Sequence, residues 1–447
     1  MKTQLKYYLK KIIRQGPTFN RLFNELKKSQ YLSIEQLEDL QNKKLRKLIR
    51  HCYKNVPYYR ELFNQLNLKP EDINTKDDLK KLPFLDKHII RQNQDKLIAK
   101  NRMFSLCNIA QTSGTTGTPL KLYRDYHSIN FENAAVWRHY RNAGDSGLKR
   151  ITLRGQIVVP VDQKEPPFWQ YIAADKELLM SSYHLSDKTA KIFVEKILEF
   201  NPQILSAYPS SVYLLAKYFN NLNQKLTLKA IFTSAEKLAT SQRKLIEETF
   251  NCRIFDWYGQ AERSSAIAQC ENGTYHIIED YSIVETIETC DGFEVVGTNL
   301  DNYLMPFLRY RTGDTIKLAT NKCTCGRNFR EVSEICGRET NYYIVTPNGI
   351  QITAFDHIPR GIGSVIETQI IQEKIGELII NVTASDKFSE KDEETLIRNA
   401  REHTASDMKV IINKMDSIPR GANGKFVYVI NKLIDKNNQK LGSNCEQ

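Results

Sequence analysis

Between Ile151 and Leu318, short runs rich in β-branched and aromatic residues alternate with helix-length stretches, and this alternation constrains the fold more than any other feature of the chain. Ile151-Thr152-Leu153, Ala230-Ile231-Phe232-Thr233 and Arg253-Ile254-Phe255-Asp256 read as strands, while residues 188–200 and 238–250 read as helices. Strands interleaved with helices predict a layered α/β domain. Residues 1–100 are helical in pattern, broken at Gly16-Pro17, Val56-Pro57 and Leu82-Pro83. After Gly337-Arg338 the texture changes. Residues 342–345, a Pro347-Asn348-Gly349 turn, then 350–353, 365–372, 377–383, a helix over 390–403, 409–412 and 425–430 predict a compact, strand-rich α+β unit. The boundary is placed at 338–341, giving a large domain over 1–337, with its helical region 1–100, and a small one over 338–447.

The length, 447 residues, suits two to four domains with an ordinary buried core, and 41% hydrophobic with 26% charged residues excludes the disordered and fibrous classes. No run approaches the ~18 apolar residues that cross a bilayer, and the first 16 residues lack the apolar centre of a signal peptide, so a cytoplasmic location is expected. The formal charge of +12 is mostly N-terminal, since residues 1–50 hold 13 basic and 4 acidic groups. Leu5, Leu9, Ile12 and Ile13 repeat at helical spacing among lysines, so this stretch either docks on the protein's own core, the favoured reading, or lies on anionic lipid. No base-reading or stacking motif accompanies the charge, and nucleic acid is not expected as a partner.

Thr112-Ser113-Gly114-Thr115-Thr116-Gly117-Thr118-Pro119 is the strongest local signal. Two glycines let backbone amides converge on one concave nest, and five hydroxyls add donors for phosphate oxygens; the alternative is a plain surface turn. The Walker spacing is absent. Tyr258-Gly259-Gln260-Ala261-Glu262 sets an aromatic face and a carboxylate around a glycine bend, suited to a base and to Mg²⁺ beside phosphates. Asp314, in Arg309-Tyr310-Arg311-Thr312-Gly313-Asp314, offers a carboxylate for ribose hydroxyls. A capped turn or an ion pair is the plainer reading of each.

Together with Gly337-Arg338 and Pro419-Arg420-Gly421-Ala422-Asn423-Gly424-Lys425, this ordered set resembles the acyl-adenylate-forming superfamily of acyl-CoA synthetases and adenylation domains. Val56-Pro57-Tyr58-Tyr59-Arg60, Asn74-Thr75-Lys76-Asp77-Asp78-Leu79, Lys81-Leu82-Pro83, Ala207-Tyr208-Pro209-Ser210 and Cys325-Gly326-Arg327 look like its phenylacetate-CoA ligase branch, particularly relatives found in capsular-polysaccharide biosynthesis. The resemblance spans about residues 50–432. It implies a large α/β adenylate-forming domain with a small mobile α+β C-terminal domain.

By the same resemblance, Thr112, Ser113, Gly114, Thr115, Thr116 and Gly117 would close on the ATP phosphates. Ser234, Ala235, Glu236, Tyr258 and Gly259 would frame the adenine; Asp314 would bind the ribose with Arg338 beside it. Glu262 would hold Mg²⁺, and Lys425 would reach the carboxylate and α-phosphate, making Thr116, Glu262 and Lys425 the catalytic set. The implied reaction joins a carboxylic acid to AMP and releases pyrophosphate, then passes the acyl group to coenzyme A. The alternatives are an amine or hydroxyl acceptor on a sugar or amino acid, or a nucleotide-binding protein without turnover. One position departs from the family: Thr340 stands two residues after Arg338, where an acidic or lysine hinge residue is usual, so a domain rotation rests on the superfamily alone.

Nine cysteines read as thiols or metal ligands rather than a disulfide framework. Cys270, His276, Cys323 and Cys325 supply three thiolates and an imidazole, the donor set of tetrahedral Zn²⁺, against the alternative of free thiols; Cys336 is a possible substitute. Cys52, Cys107, Cys252 and Cys290 read as small buried hydrophobes. His127, His139 and His184 read as satisfied surface or core histidines, and Trp137, Trp169 and Tyr208 as core aromatics that could alternatively line an acyl pocket.

Overall fold

The structure, a computed structural model, describes residues 8, 11–101, 108–111, 120–290, 292–338, 344–352, 358–359, 361–420 and 426–433. Helices Pro17–Ser29, Ile34–Asn55, Pro57–Gln65 and Lys87–Gln92 lie in the first hundred residues. Gly16 and Val56 sit at N-caps with proline at the first turn of the helix that follows, so both predicted breaks are helix starts. Ser33 begins another with a capping box, its hydroxyl accepting from the Gln36 N–H while Gln36 accepts from the Ser33 N–H. The N-terminal stripe departs from the docked expectation. Ile12 and Ile13 are 61% and 50% exposed, and the contact that holds this segment is polar, Lys11 to Asp175 and to the Ala174 carbonyl. Leu5 and Leu9 lie outside the described residues.

A hairpin, β1 (Asn108–Gln111) and β2 (Lys121–Arg124), leads into the helix Tyr126–Asn142, whose N-cap Asp125 accepts from the Ser128 N–H. The central sheet then takes β3 (Arg150–Arg154), β4 (Trp169–Ile172), β5 (Glu177–Ser181), β6 (Ile204–Ala207), β7 (Ala230–Ser234), β8 (Arg253–Gly259), β9 (Ala266–Gln269), β10 (Tyr275–Ile277), β11 (Ser282–Thr289), β12 (Gly292–Asn299), β13 (Tyr310–Leu318) and β14 (Glu331–Arg338). Their spatial order is β11-β12-β13-β14-β10-β9-β8-β7-β6-β3-β5-β4. The run β5-β3-β6-β7-β8 is parallel and the remainder antiparallel. Helices Ala190–Phe200, Pro209–Asn221 and Thr240–Phe250 cross between the parallel strands, and their apolar faces meet Ile151, Leu153, Leu205 and Ile231 in one core. The chain order reverses between β3 and β6. That is the topological switch point of a doubly wound sheet, where ligands bind outside the carboxyl ends of the strands.

Beyond the central sheet lie β15 (Ile344–Val345), β16 (Gln351–Ile352), β17 (Val365–Lys374), β18 (Glu377–Ala384), β19 (Lys409–Lys414) and β20 (Val429–Asn431), with the helix Glu390–His403. The β19-β18-β17-β20 sheet encloses its own apolar core around Ile370, Leu378, Ile380 and Leu396. Ile366 on β17 instead joins the core of the parallel sheet, so the two layers are packed together at that strand. Among the described residues, no helix is long and apolar enough to cross a membrane.

Candidate active site

β8 delivers the first half of the site. It ends at Trp257-Tyr258-Gly259, where a Cβ on Gly259 would crowd the Trp257 Nε1 at 3.0 Å. A tight turn follows. Arg263 takes φ +55°, its N–H donates to the Gln260 carbonyl at 3.0 Å, and the Gln260 amide donates to the Ser265 hydroxyl at 2.6 Å. That turn buries Glu262, whose carboxylate accepts from the Tyr310 hydroxyl at 2.6 Å and is thereby fixed in direction. Arg124 braces the turn by donating to the Ala261 carbonyl.

β13 delivers Asp314, which accepts from the Tyr258 hydroxyl at 2.8 Å. Burial, then the Asp314 charge, pushes the Tyr258 hydroxyl well above its ordinary value, so it stays a donor. The sequence reading gave Tyr258 to the base and Asp314 to the ribose; the structure joins the two directly. Asp314 also faces Arg338 across the β13 and β14 pair, which brings the backbones of those two predicted residues together.

Glu236 has a connection that its sequence context did not reveal. It follows Ala235, held at φ +75° just past β7, and its two carboxylate oxygens divide between two partners. The Ser210 N–H, at the start of the helix Pro209–Asn221, donates to one at 3.0 Å, and the Phe426 N–H donates to the other at 2.9 Å. Burial raises the Glu236 pKa while these two N–H groups pull it down. Thr112 to Thr118 and Lys425 lie outside the described residues, but Phe426 adjoins Lys425 in sequence and is tied to the carboxyl ends of the parallel strands.

Two further contacts hold the C-terminal sheet here. Lys217 donates to the Val365 and Ile366 carbonyls at 2.8 and 2.6 Å, and burial lowers its pKa to about 8, against the pull of Glu367. Arg420 pairs with Glu367 at 2.9 Å.

Cys270 follows β9, His276 lies on β10, and Cys323 and Cys325 lie in the turn between β13 and β14. Their four ligand atoms all fall within 4.8 Å of one another. The Cys270 and Cys323 sulfurs are 3.6 Å apart, too far for a disulfide, and the Cys325 sulfur is 3.5 Å from the His276 Nε2. Thiolates at ~2.3 Å from a tetrahedral zinc stand at such separations, so the donor set fits the metal. The Phe329 carbonyl lies 3.2 Å from the His276 Nδ1 and fixes the ring with Nε2 toward the sulfurs, the outer-shell contact that metal-bound histidines make. The predicted substitute Cys336 is not in this group.

Other predicted residues are accounted for. Cys52 is buried, but Cys252 is half-buried and Cys290 exposed, so the buried reading fails for Cys290 at its hairpin turn. His127 reaches Asp301 at 3.0 Å, the His184 Nδ1 lies 2.8 Å from the Ser181 hydroxyl, and His139 is held among the Tyr140, Phe232, Phe255 and Trp257 rings. Burial lowers the His139 pKa to about 4. Trp137 and Trp169 pack against apolar cores.

Comparison with known proteins agrees with this architecture. The sequence model of the CapK C-terminal domain matches residues 344–432. Protein CapK of Staphylococcus aureus is 26% identical over 411 residues, 89% of this chain and 90% of that protein. The phenylacetate-coenzyme A ligase of Thermus thermophilus is 24% identical over 451 residues, 89% of this chain and 97% of that protein. The homologues of this chain are thus CapK and phenylacetate-CoA ligases. Among solved structures, 2-hydroxyisobutyryl-CoA ligase in the postadenylation state with 2-HIB-AMP aligns with a TM-score of 0.68, at 17% identity and over 93% of this chain and 94% of that one. The same ligase in complex with 2-HIB-AMP and CoA in the thioesterification state aligns with a TM-score of 0.55. The fold is that of these adenylate-forming ligases.

Proposed function

We propose that this protein is an AMP-forming carboxylate ligase. A carboxylate oxygen attacks the α-phosphorus of ATP, pyrophosphate leaves, and the acyl-AMP passes its acyl group to a nucleophile with release of AMP. Coenzyme A is the proposed acceptor, in line with the ligases among the relatives. An amine or hydroxyl acceptor differs only in the second step.

The observation that carries this reading is the double hydrogen bond of Glu236, which ties Phe426 to the carboxyl ends of the parallel strands. In that arrangement Lys425, one residue away, would bring a cation to the phosphorus as negative charge gathers there, which stabilises the transition state more than the ground state. Glu262, oriented by Tyr310, would hold Mg²⁺, whose role is to neutralise phosphate charge. The residues 112–117 would cradle the leaving phosphates, and Ser234, Ala235, Tyr258, Gly259, Asp314 and Arg338 would bind the nucleoside. Cys270, His276, Cys323 and Cys325 would hold a structural zinc that pins the β13 and β14 turn to β9 and β10.

Pyrophosphate release measured across a panel of carboxylic acids, with and without CoA, tests the reading. Acid-dependent release with a thioester product is expected. Release without thioester, rescued by an amine or hydroxyl acceptor, moves the second step to the alternative, and no release with any acid overturns the ligase reading.

A further inference from the structure

Arg154 ends β3 at the switch point of the sheet, and among the described residues its side chain makes no ion pair. Thr152, Ser206, Phe232 and Phe255 are register partners across β3, β6, β7 and β8, so their side chains share one face. Two residues further along each strand, the same alternation puts Arg154, Tyr208, Ser234 and Trp257 on that face, at the carboxyl ends. The helix Tyr126–Asn142 covers it, with the Tyr140 and Phe232 rings 4.2 Å apart and His139 and Trp257 5.5 Å apart. The Arg154 charge reaches the Tyr208 hydroxyl, offsetting part of the rise that burial imposes there, and Tyr208 in turn feels Glu236. These residues therefore lie together at the carboxyl ends of the parallel strands, on the face that also carries Ser234.

Several arginines with little-exposed side chains elsewhere in the protein pair with acids. Arg138 pairs with Asp280, Arg150 with Asp145, Arg309 with Glu285 and Arg420 with Glu367. Among the described residues Arg154 has no such partner, and its Nε is shut off from water with no hydrogen-bond acceptor. Glu177, an acid within electrostatic range, accepts from Thr152 at 2.5 Å and feels Arg150 more strongly than Arg154. A buried guanidinium N–H left without an acceptor is unfavourable unless something supplies one. At a switch point, that something is a ligand.

Resting on the ligase reading above, we propose that the acid activated here carries a second anionic group and that Arg154 binds it, while the reacting carboxylate lies toward Lys425. The planar fork of the guanidinium suits a second carboxylate, and Trp257 and Tyr208 provide flat walls for the carbon chain between the two.

The test uses acid pairs of matched size: butyrate with succinate, hexanoate with adipate, and 2-methylphenylacetate with 2-carboxyphenylacetate. In pyrophosphate release, the diacid of each productive pair should be favoured in kcat/KM by roughly tenfold or more, as charge-assisted bidentate contacts allow. Arg154→Met should abolish the preference through KM for the acid with KM for ATP unchanged, and Arg154→Lys should restore part of it. A wild-type preference for the monoacid overturns the proposal, as does a preference that survives in Arg154→Met or a change that falls on KM for ATP. Thermal shift with the same acids gives a readout independent of turnover. If diacids stabilise wild type but not Arg154→Met while no acid releases pyrophosphate, the subsite stands and the ligase reading falls. Equal shifts in both proteins overturn the subsite whatever the turnover.

Discussion

Lys217→Met isolates the contact between the parallel sheet and the C-terminal sheet. Its ammonium donates to two carbonyls of β17, and a hydrogen bond from a charged donor is worth about 1.5–3 kcal/mol. Against that gain stands the burial of the charge, seen as a pKa lowered from 10.5 to about 8, equivalent to about 3 kcal/mol. Methionine removes the charge and its burial cost but leaves the Val365 and Ile366 carbonyls without their donor, at ~1–3 kcal/mol each. The two stranded carbonyls together outweigh the relieved burial by up to about 3 kcal/mol, a loss of up to roughly 100-fold in the docking constant. If docking presents Lys425 to the α-phosphate, the adenylation half-reaction, followed by single-turnover pyrophosphate release, falls by up to that factor. If a domain rotation of the kind the resemblance implies breaks this contact before transfer, acyl transfer from preformed acyl-AMP should be spared. Equal losses in both half-reactions, or no loss in adenylation, would falsify the docking argument.

The same contact predicts a pH dependence whose sign follows from proton linkage. Between about 8 and 10.5 the docked form binds fewer protons at Lys217 than the undocked or unfolded form, so stability attributable to this group rises with pH across that window; the Tm difference between wild type and Lys217→Met, measured through the window, should therefore shift in favour of wild type as pH climbs, and a flat difference refutes it. Lys425→Ala should lower adenylation by roughly 10²–10³ with ATP affinity nearly intact, checked by pyrophosphate release and nucleotide titration; an unchanged rate removes Lys425 from the chemistry. Protein purified without chelator should carry about one equivalent of zinc by elemental analysis, and Cys323→Ser should lose the metal together with thermal stability; a metal-free wild type rules out the site. Glu236→Ala should weaken adenylation more than transfer, since both of its N–H partners lose a charged acceptor, whereas a loss confined to KM for ATP would return Glu236 to the adenine.

Local patterns carried most of the fold. Proline placement after Gly16 and Val56 marked two helix starts, and the predicted helix over 390–403 is the helix Glu390–His403, because capping and periodicity are set within a few residues of chain. The antiparallel half of the sheet was harder to read, since β9 through β14 pair by register with partners that local alternation does not name. Residue roles divide along the same line. Cys270, His276, Cys323 and Cys325 were legible because metal donors announce themselves by side-chain chemistry, even with sulfurs from residues 53 positions apart meeting at 3.6 Å. Glu236 was legible as a site residue but not as a tie to Phe426, 190 residues away, because a carboxylate looks the same whether it faces a base or an amide. Arg154 and Lys217 carried no signal at all. One is distinguished by the counter-charge it lacks and the other by two main-chain carbonyls, and neither an absence nor a carbonyl leaves a mark in sequence. On the proposed reading such contacts would decide which acid enters and which conformation presents the lysine, so the motifs speak to the reaction class well before they speak to the substrate.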